Sequence, residues 1–145
     1  MASQITLTSG AINYTNAGGW FGLADGGGIT QVDVSGGTLP TAAGIVAGTR
    51  AAVTFNITGG TVTAPYYQFY YSDSVTGATG KSSTLTIGGT GTLVIGASGI
   101  YNNSTGNTAN VLFNGGTLKA SSSFTLASTL SSVSVGTGGG VFDTN

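Results

Sequence analysis

Short runs of alternating apolar and polar residues return along this chain. They read Ile5-Thr6-Leu7, Val32-Asp33-Val34, Val53-Thr54-Phe55-Asn56-Ile57, Leu85-Thr86-Ile87, Val111-Leu112-Phe113 and Val133-Ser134-Val135. Alternation with a period of two predicts strands whose apolar side chains share one face. A glycine phrase follows most runs: Ser35-Gly36-Gly37-Thr38-Leu39, Thr58-Gly59-Gly60-Thr61-Val62, Thr90-Gly91-Thr92-Leu93 and Asn114-Gly115-Gly116-Thr117-Leu118. Glycine accepts positive φ without steric cost, so these phrases read as corners. The apolar residue after each Thr (Leu39, Val62, Leu93, Leu118) then faces inward on a second short strand. No stretch combines helical period with capping signals.

The corners recur at a nearly fixed interval. Anchored at Gly10, Gly37, Gly60, Gly91, Gly116 and Gly140, the spacings are 27, 23, 31, 25 and 24 residues. A period in the twenties signals stacked repeats rather than one central core. One repeat cannot bury its apolar face alone; parallel stacking at roughly 4.8 Å per layer buries it against the next. The expected fold is therefore all-β: a parallel β-helix, or β-solenoid, spanning 1–145 as one domain with about six coils of roughly 26 residues. The handedness of parallel crossovers favours a right-handed coil. Two inward ladders follow. One holds Leu39, Val62, Leu93, Leu118 and Phe142; the other holds Val34, Ile57, Ile87, Phe113 and Val135.

The longest repeat carries an aromatic strand and a protruding loop over residues 64–82. Alternation puts Tyr67, Phe69 and Tyr71 on one face and Tyr66, Gln68 and Tyr70 on the other. One set enters the core. The other, with two tyrosines flanking an amide, forms a candidate contact surface at Tyr66, Gln68 and Tyr70 for a sugar ring or a neighbouring chain.

Charge narrows the function. Formal charge rests on Asp25, Asp33, Asp73, Asp143, Arg50, Lys81 and Lys119, which is 5% of the chain, and the net charge is −1. Three scattered cations make no basic stripe for nucleic acid. No apolar run is long enough for a membrane helix, so membrane insertion is not expected. With 39% hydrophobic residues and so few charges, the chain has the opposite balance to a disordered one. Histidine and cysteine are absent, which removes zinc sites, disulfides and the usual nucleophile–base pairs. Asp25 and Asp33 are the nearest carboxylate pair; an Asx turn and a solvated strand residue account for them. Gly26-Gly27-Gly28 and Gly138-Gly139-Gly140 lack the Lys-Ser/Thr and helix of a phosphate loop. Trp20-Phe21 reads as core or cap at a strand start, and Asn102, Asn103 and Asn114 as corner residues or stacked amide ladders. No catalytic residue, cofactor or metal site is assigned.

The segment from Val111-Leu112-Phe113-Asn114-Gly115-Gly116-Thr117-Leu118 to Gly139-Gly140-Val141-Phe142-Asp143-Thr144-Asn145 resembles the passenger-associated repeat of bacterial autotransporters. Such repeats close on a similar Gly-Gly-hydrophobic-Asp-Thr-Asn phrase. The resemblance implies a right-handed parallel β-helix, export to the surface of a Gram-negative cell, and a stalk or adhesin role. Its motif residues are structural, so it brings no catalytic residue. The sequence is thus expected to be a segment of a longer exported, extracellular protein. It would be non-catalytic and prone to head-to-tail self-assembly into filaments. A glycan- or host-binding adhesin module is the alternative, and a polysaccharide lyase or hydrolase the remote one.

Overall fold

The computed structural model describes residues 3–25, 28–71 and 79–144. These form eleven strands: β1 (Ser3–Leu7), β2 (Phe21–Leu23), β3 (Ile29–Pro40), β4 (Ile45–Ala47), β5 (Thr54–Phe69), β6 (Ser82–Gly88), β7 (Thr92–Asn102), β8 (Thr108–Asn114), β9 (Thr117–Ala120), β10 (Ser132–Val135) and β11 (Val141–Asp143). Each pairs in parallel with the strand one coil away. The result is a β-solenoid of about 5 turns. The first wall stacks β1, the start of β3, the start of β5, β6, β8 and β10. The second stacks the ends of β3, the middle of β5, the start of β7, β9 and β11. The third stacks β2, β4, the end of β5 and the end of β7.

The turn count falls short of the six expected. Six glycine anchors bound five intervals, and the last of them, Gly140, lies between β10 and β11, the only strands of the final coil among the described residues. Residues 121–131 of the fifth coil carry no strand either, although Ala127 N–H still donates to Ile100 O at 3.2 Å.

Both inward ladders form as the alternation requires. Leu39 pairs with Val62, Val62 with Leu93, Leu93 with Leu118, and Leu118 with Phe142. On the first wall Val34, Ile57, Ile87, Phe113 and Val135 follow one another in register. From Leu39 to Leu93 and from Val34 to Phe113 these side chains are essentially inaccessible to solvent. Burying each contributes about 1.5–3 kcal/mol relative to exposure. In the third coil the core is aromatic: Tyr67 meets Phe55 and Phe69 edge-on, with centroids 5.7 and 5.0 Å away.

The paired glycines have two separate tasks. A β-carbon on Gly59 would lie 2.2 Å from the Ser35 carbonyl oxygen of the coil before. Gly60 has φ +68°, and its β-carbon would lie 2.4 Å from Gly37 O. Gly36 and Gly37 repeat this against the first coil, at 2.1 and 2.5 Å. The first glycine therefore lets two backbones touch, and the second supplies the left-handed turn.

Outside, polar side chains link coils. Asp33 Oδ1 accepts from Asn56 Nδ2 at 2.7 Å, and its Oδ2 accepts from Gln31 Nε2 at 2.7 Å and Gln4 Nε2 at 2.5 Å. Partial burial works to raise the Asp33 pKa, but the three amide donors together hold it below its ordinary value. Inside, the Tyr67 hydroxyl is buried with no hydrogen-bond partner. Burial, reinforced by nearby Tyr70, pushes its pKa far up, so it stays neutral.

Candidate functional site

The third wall carries the exposed Trp20 and the half-buried Tyr66, Tyr71 and Tyr101. Its strands align Phe21, Ile45, Tyr67 and Ile100 in one column, and Gly22, Val46, Gln68 and Tyr101 in the next. The first of these columns faces the core and the second lies on the outside. One residue earlier, Phe21 N–H donates to Gly44 O at 2.8 Å, and Tyr66 pairs with Gly99. The chain thus places Trp20, Gly44, Tyr66 and Gly99 side by side on the outer wall.

Glycines let the rings lie against the sheet. A β-carbon on Gly44 would fall 2.0 Å from Tyr66 ring atoms, so the Tyr66 ring lies directly over that glycine. Trp20 lies over Gly22 in the same way, with its indole 3.1 Å from the place a β-carbon would take. The rings pair with small tilt. Trp20 and Tyr71 have centroids 4.9 Å apart and planes at 33°; Tyr66 and Tyr101 are 6.0 Å apart at 39°. Trp20 is 43% exposed. Tyr66, Tyr71 and Tyr101 are half-buried.

This surface differs from the one the alternation suggests. Tyr66 is on it. Gln68 points outward but is buried beneath the rings, and Tyr70 is in the core at 1% exposure. The strand ends at Phe69, and Tyr70 takes φ +55°, which turns its side chain inward. There its hydroxyl accepts from Ser83 Oγ at 3.0 Å. Tyr71 is displaced outward to meet Trp20. Tyr66, Gln68 and Tyr70 therefore do not make one exposed platform. Residues 72–78 of the expected loop, Asp73 among them, lie outside the described residues.

Gln68 ties the surface together. Its Oε1 accepts from Tyr101 OH at 2.8 Å, while its Nε2 donates to the carbonyls of Tyr70 at 2.6 Å and Tyr71 at 3.1 Å. Asn103 Nδ2 also donates to Tyr71 O. Burial, and the neighbouring Tyr66 phenol, push the Tyr101 hydroxyl pKa up, so it remains a neutral donor. Asn103 in turn lines a polar cleft of about 460 Å³ with Asn102, Thr105, Thr129 and Ser131. Asn102 N–H donates to Thr129 Oγ1 at 3.1 Å, and its Nδ2 to Ser104 O at 2.8 Å. Alternation in the neighbouring repeat could have found Tyr101, since it occupies the slot of Gln68 one coil later. Nothing in the sequence signals that Trp20 faces outward.

The second candidate is the open end of the rod. The inward positions Val133 and Val135 are 45% and 60% exposed there, and Phe142 is 52% exposed. Phe142 stacks on Phe113 at 4.7 Å. Beside it an apolar cavity of about 330 Å³ opens among Leu118, Ala120, Phe124, Leu126 and Phe142.

The two carboxylates have separate partners: Asp25 Oδ1 is 3.2 Å from Arg50 Nε, and Asp33 is held by amides. Phe21 opens β2 and is partly buried. Asn114 Oδ1 caps a corner by accepting from Gly138 N–H at 2.9 Å. Among the described residues no three acidic side chains gather as a metal site would need, and no helix is long and apolar enough to cross a membrane. No family model, curated protein or solved structure matches the chain.

Proposed function

We propose that this chain is a non-catalytic structural β-solenoid of a bacterial exported surface protein or fibre, and that copies join head to tail. The carrying observation is the last rung. Val133, Val135 and Phe142 continue the two core ladders in register, yet all three are largely exposed. Among the described residues β10 has one hydrogen-bonded neighbouring strand, β8, which leaves its outer backbone edge open to a further strand. At the opposite end β1 pairs, among the described residues, with β3 alone. Its strand direction matches that of β10, because every coil runs the same way. Joining β1 of one copy to β10 of another satisfies both edges and covers the apolar rung. Such a contact is heterologous and does not close, so it propagates as a filament. Net charge of −1 offers little repulsion. The likeness of the C-terminal phrase to autotransporter repeats supports an extracellular setting; here Gly138–Gly140 make the corner and β11 carries Val141-Phe142-Asp143.

Analytical ultracentrifugation and electron microscopy over a concentration series test this. Wild type is expected to form thin filaments. Val135→Lys places a charge on the inward side of the edge strand, and Ser132→Lys with Ser134→Lys crowds its outer side. Both are expected to shorten or abolish filaments while keeping the circular dichroism of the wild type. A wild-type chain that stays monomeric at millimolar concentration refutes the assembly.

A further inference from the structure

We propose that the outer third wall, Trp20, Tyr66, Tyr71 and Tyr101 with the adjoining Asn103 cleft, binds a neutral carbohydrate chain. The reading is independent of end-to-end assembly, which uses the other, axial surface.

The chemistry of the surface selects the ligand. A pyranose presents an apolar face of C–H groups and a rim of hydroxyls. The C–H face carries positive hydrogens and suits the negative face of an aromatic ring. The hydroxyl rim needs amides and hydroxyls. This wall offers both in sequence along its surface: tilted rings backed by Gly22 and Gly44, then a cleft lined by asparagine, threonine and serine. Asn103 belongs to both parts, since it lines the cleft and donates to the Tyr71 carbonyl.

Charge matches a neutral ligand. The rings and the cleft lining contain no Asp, Glu, Lys or Arg. The described cation that adjoins the cleft is Lys81, whose backbone N–H donates to Asn107 Oδ1 at 2.8 Å, so a nucleic acid, phosphopeptide or uronic-acid polymer would find one ammonium rather than a basic patch. An apolar protein surface is the other candidate, and the concentration dependence of Trp20 emission separates it from a carbohydrate.

The surface is also set in advance. Gln68 fixes the Tyr101 hydroxyl and the backbone at Tyr70 and Tyr71 with three hydrogen bonds. Rings held on sheet strands lose little freedom on binding, which reduces the entropic cost of association. The wall runs across successive coils, so it suits an extended oligosaccharide more than a single sugar.

Trp20 is the single tryptophan, so its emission reports on the surface directly. The probes are cellohexaose, chitohexaose and maltohexaose, followed by an array of neutral glycans, with polygalacturonate as the charged comparison. The expected result is a saturable change in Trp20 emission with at least one neutral glycan, insensitive to salt. Calorimetry extends the measurement to variants. Tyr66→Ala and Trp20→Ala should weaken binding at least tenfold with unchanged melting temperature. Val135→Lys, at the far end, should leave it unchanged. Four outcomes overturn the proposal: no neutral glycan binds at millimolar concentration; only polygalacturonate binds, with salt dependence; Trp20→Ala and Tyr66→Ala bind as well as wild type; or Trp20 emission changes with protein concentration alone, which assigns the wall to a protein contact.

Discussion

Replacing Gly59 with alanine should nearly unfold this protein, although it adds one methyl group. The backbone of Gly59 is not in the left-handed region, so the new residue meets no φ penalty. The penalty is contact. The added β-carbon would sit 2.2 Å from Ser35 O and 2.9 Å from the carbonyl carbon. Carbon atoms pack best at about 3.5–4.0 Å, so the coils must part by roughly 1 Å at this corner. Separation stretches the β3–β5 pairing on both sides, at Val34–Ile57 and at Thr38–Thr61. Overpacking costs about 1–3 kcal/mol, and one or two weakened backbone hydrogen bonds add about 1 kcal/mol each. A total of about 2–5 kcal/mol is a large share of the 5–15 kcal/mol that holds a typical domain. Gly10→Ala is the matched control. Gly10 has φ +75°, but no atom lies within 4 Å of its β-carbon position. It bears the left-handed cost of about 1–2 kcal/mol, partly offset by a stiffer unfolded chain. Urea melts followed by circular dichroism compare the two. Equal losses, or a Gly59→Ala protein as stable as wild type, would refute the claim that backbone contact between coils dictates the first glycine.

Leu118→Asp should unfold the C-terminal coils, because it puts a carboxylate between Leu93 and Phe142 at 3% exposure; the cost should far exceed a typical ~1 kcal/mol substitution, read as a fall in melting temperature. Tyr67→Phe removes a buried hydroxyl with no partner and should stabilise the protein by about 1 kcal/mol in the same melts; a loss would show that the hydroxyl is satisfied. The lowered pKa of Asp33 makes its contribution to stability full above the unfolded value of 3.8 and lost as pH falls through the lower folded value. Asp33→Asn should therefore flatten the acid limb of a stability–pH curve below about pH 4, and an unchanged limb would contradict it. Asp25→Asn removes an exposed pair with Arg50 and should leave the melting temperature within about 1 °C of wild type.

The two walls that meet at the Gly-Gly-Thr corner were legible because each constraint leaves a distinct mark. Alternation records the half-buried strands, and glycine records the place where backbones touch. The third wall leaves no such mark. Ile45, Val46 and Ala47 are all buried, so β4 shows no alternation. Val46 occupies an outward slot between Gly22 and Gln68 and is buried even so. Tyr70 escaped the pattern because a single positive φ reverses the side on which a side chain emerges. Trp20 precedes its strand, where period two has not yet begun. The aromatic surface is built by the register that sets residues 20, 44, 66 and 99 in one outward column and 22, 46, 68 and 101 in the next, and register across coils of unequal length is not written in local sequence.

The parallel register has a consequence for how the chain acquires its structure. Each rung finds its partners one coil back: Thr54 on Gln31, Thr84 on Thr54, Asn110 on Thr84, Ser132 on Asn110. No described strand waits for a partner from the far end. A finished coil is thus a template on which the next can crystallise while later residues are still absent, and growth is one-dimensional after a single slow nucleus. A chain delivered end first through a narrow passage can fold as it emerges. Each added layer also resists the chain's sliding back, so structure formation itself acts as a ratchet.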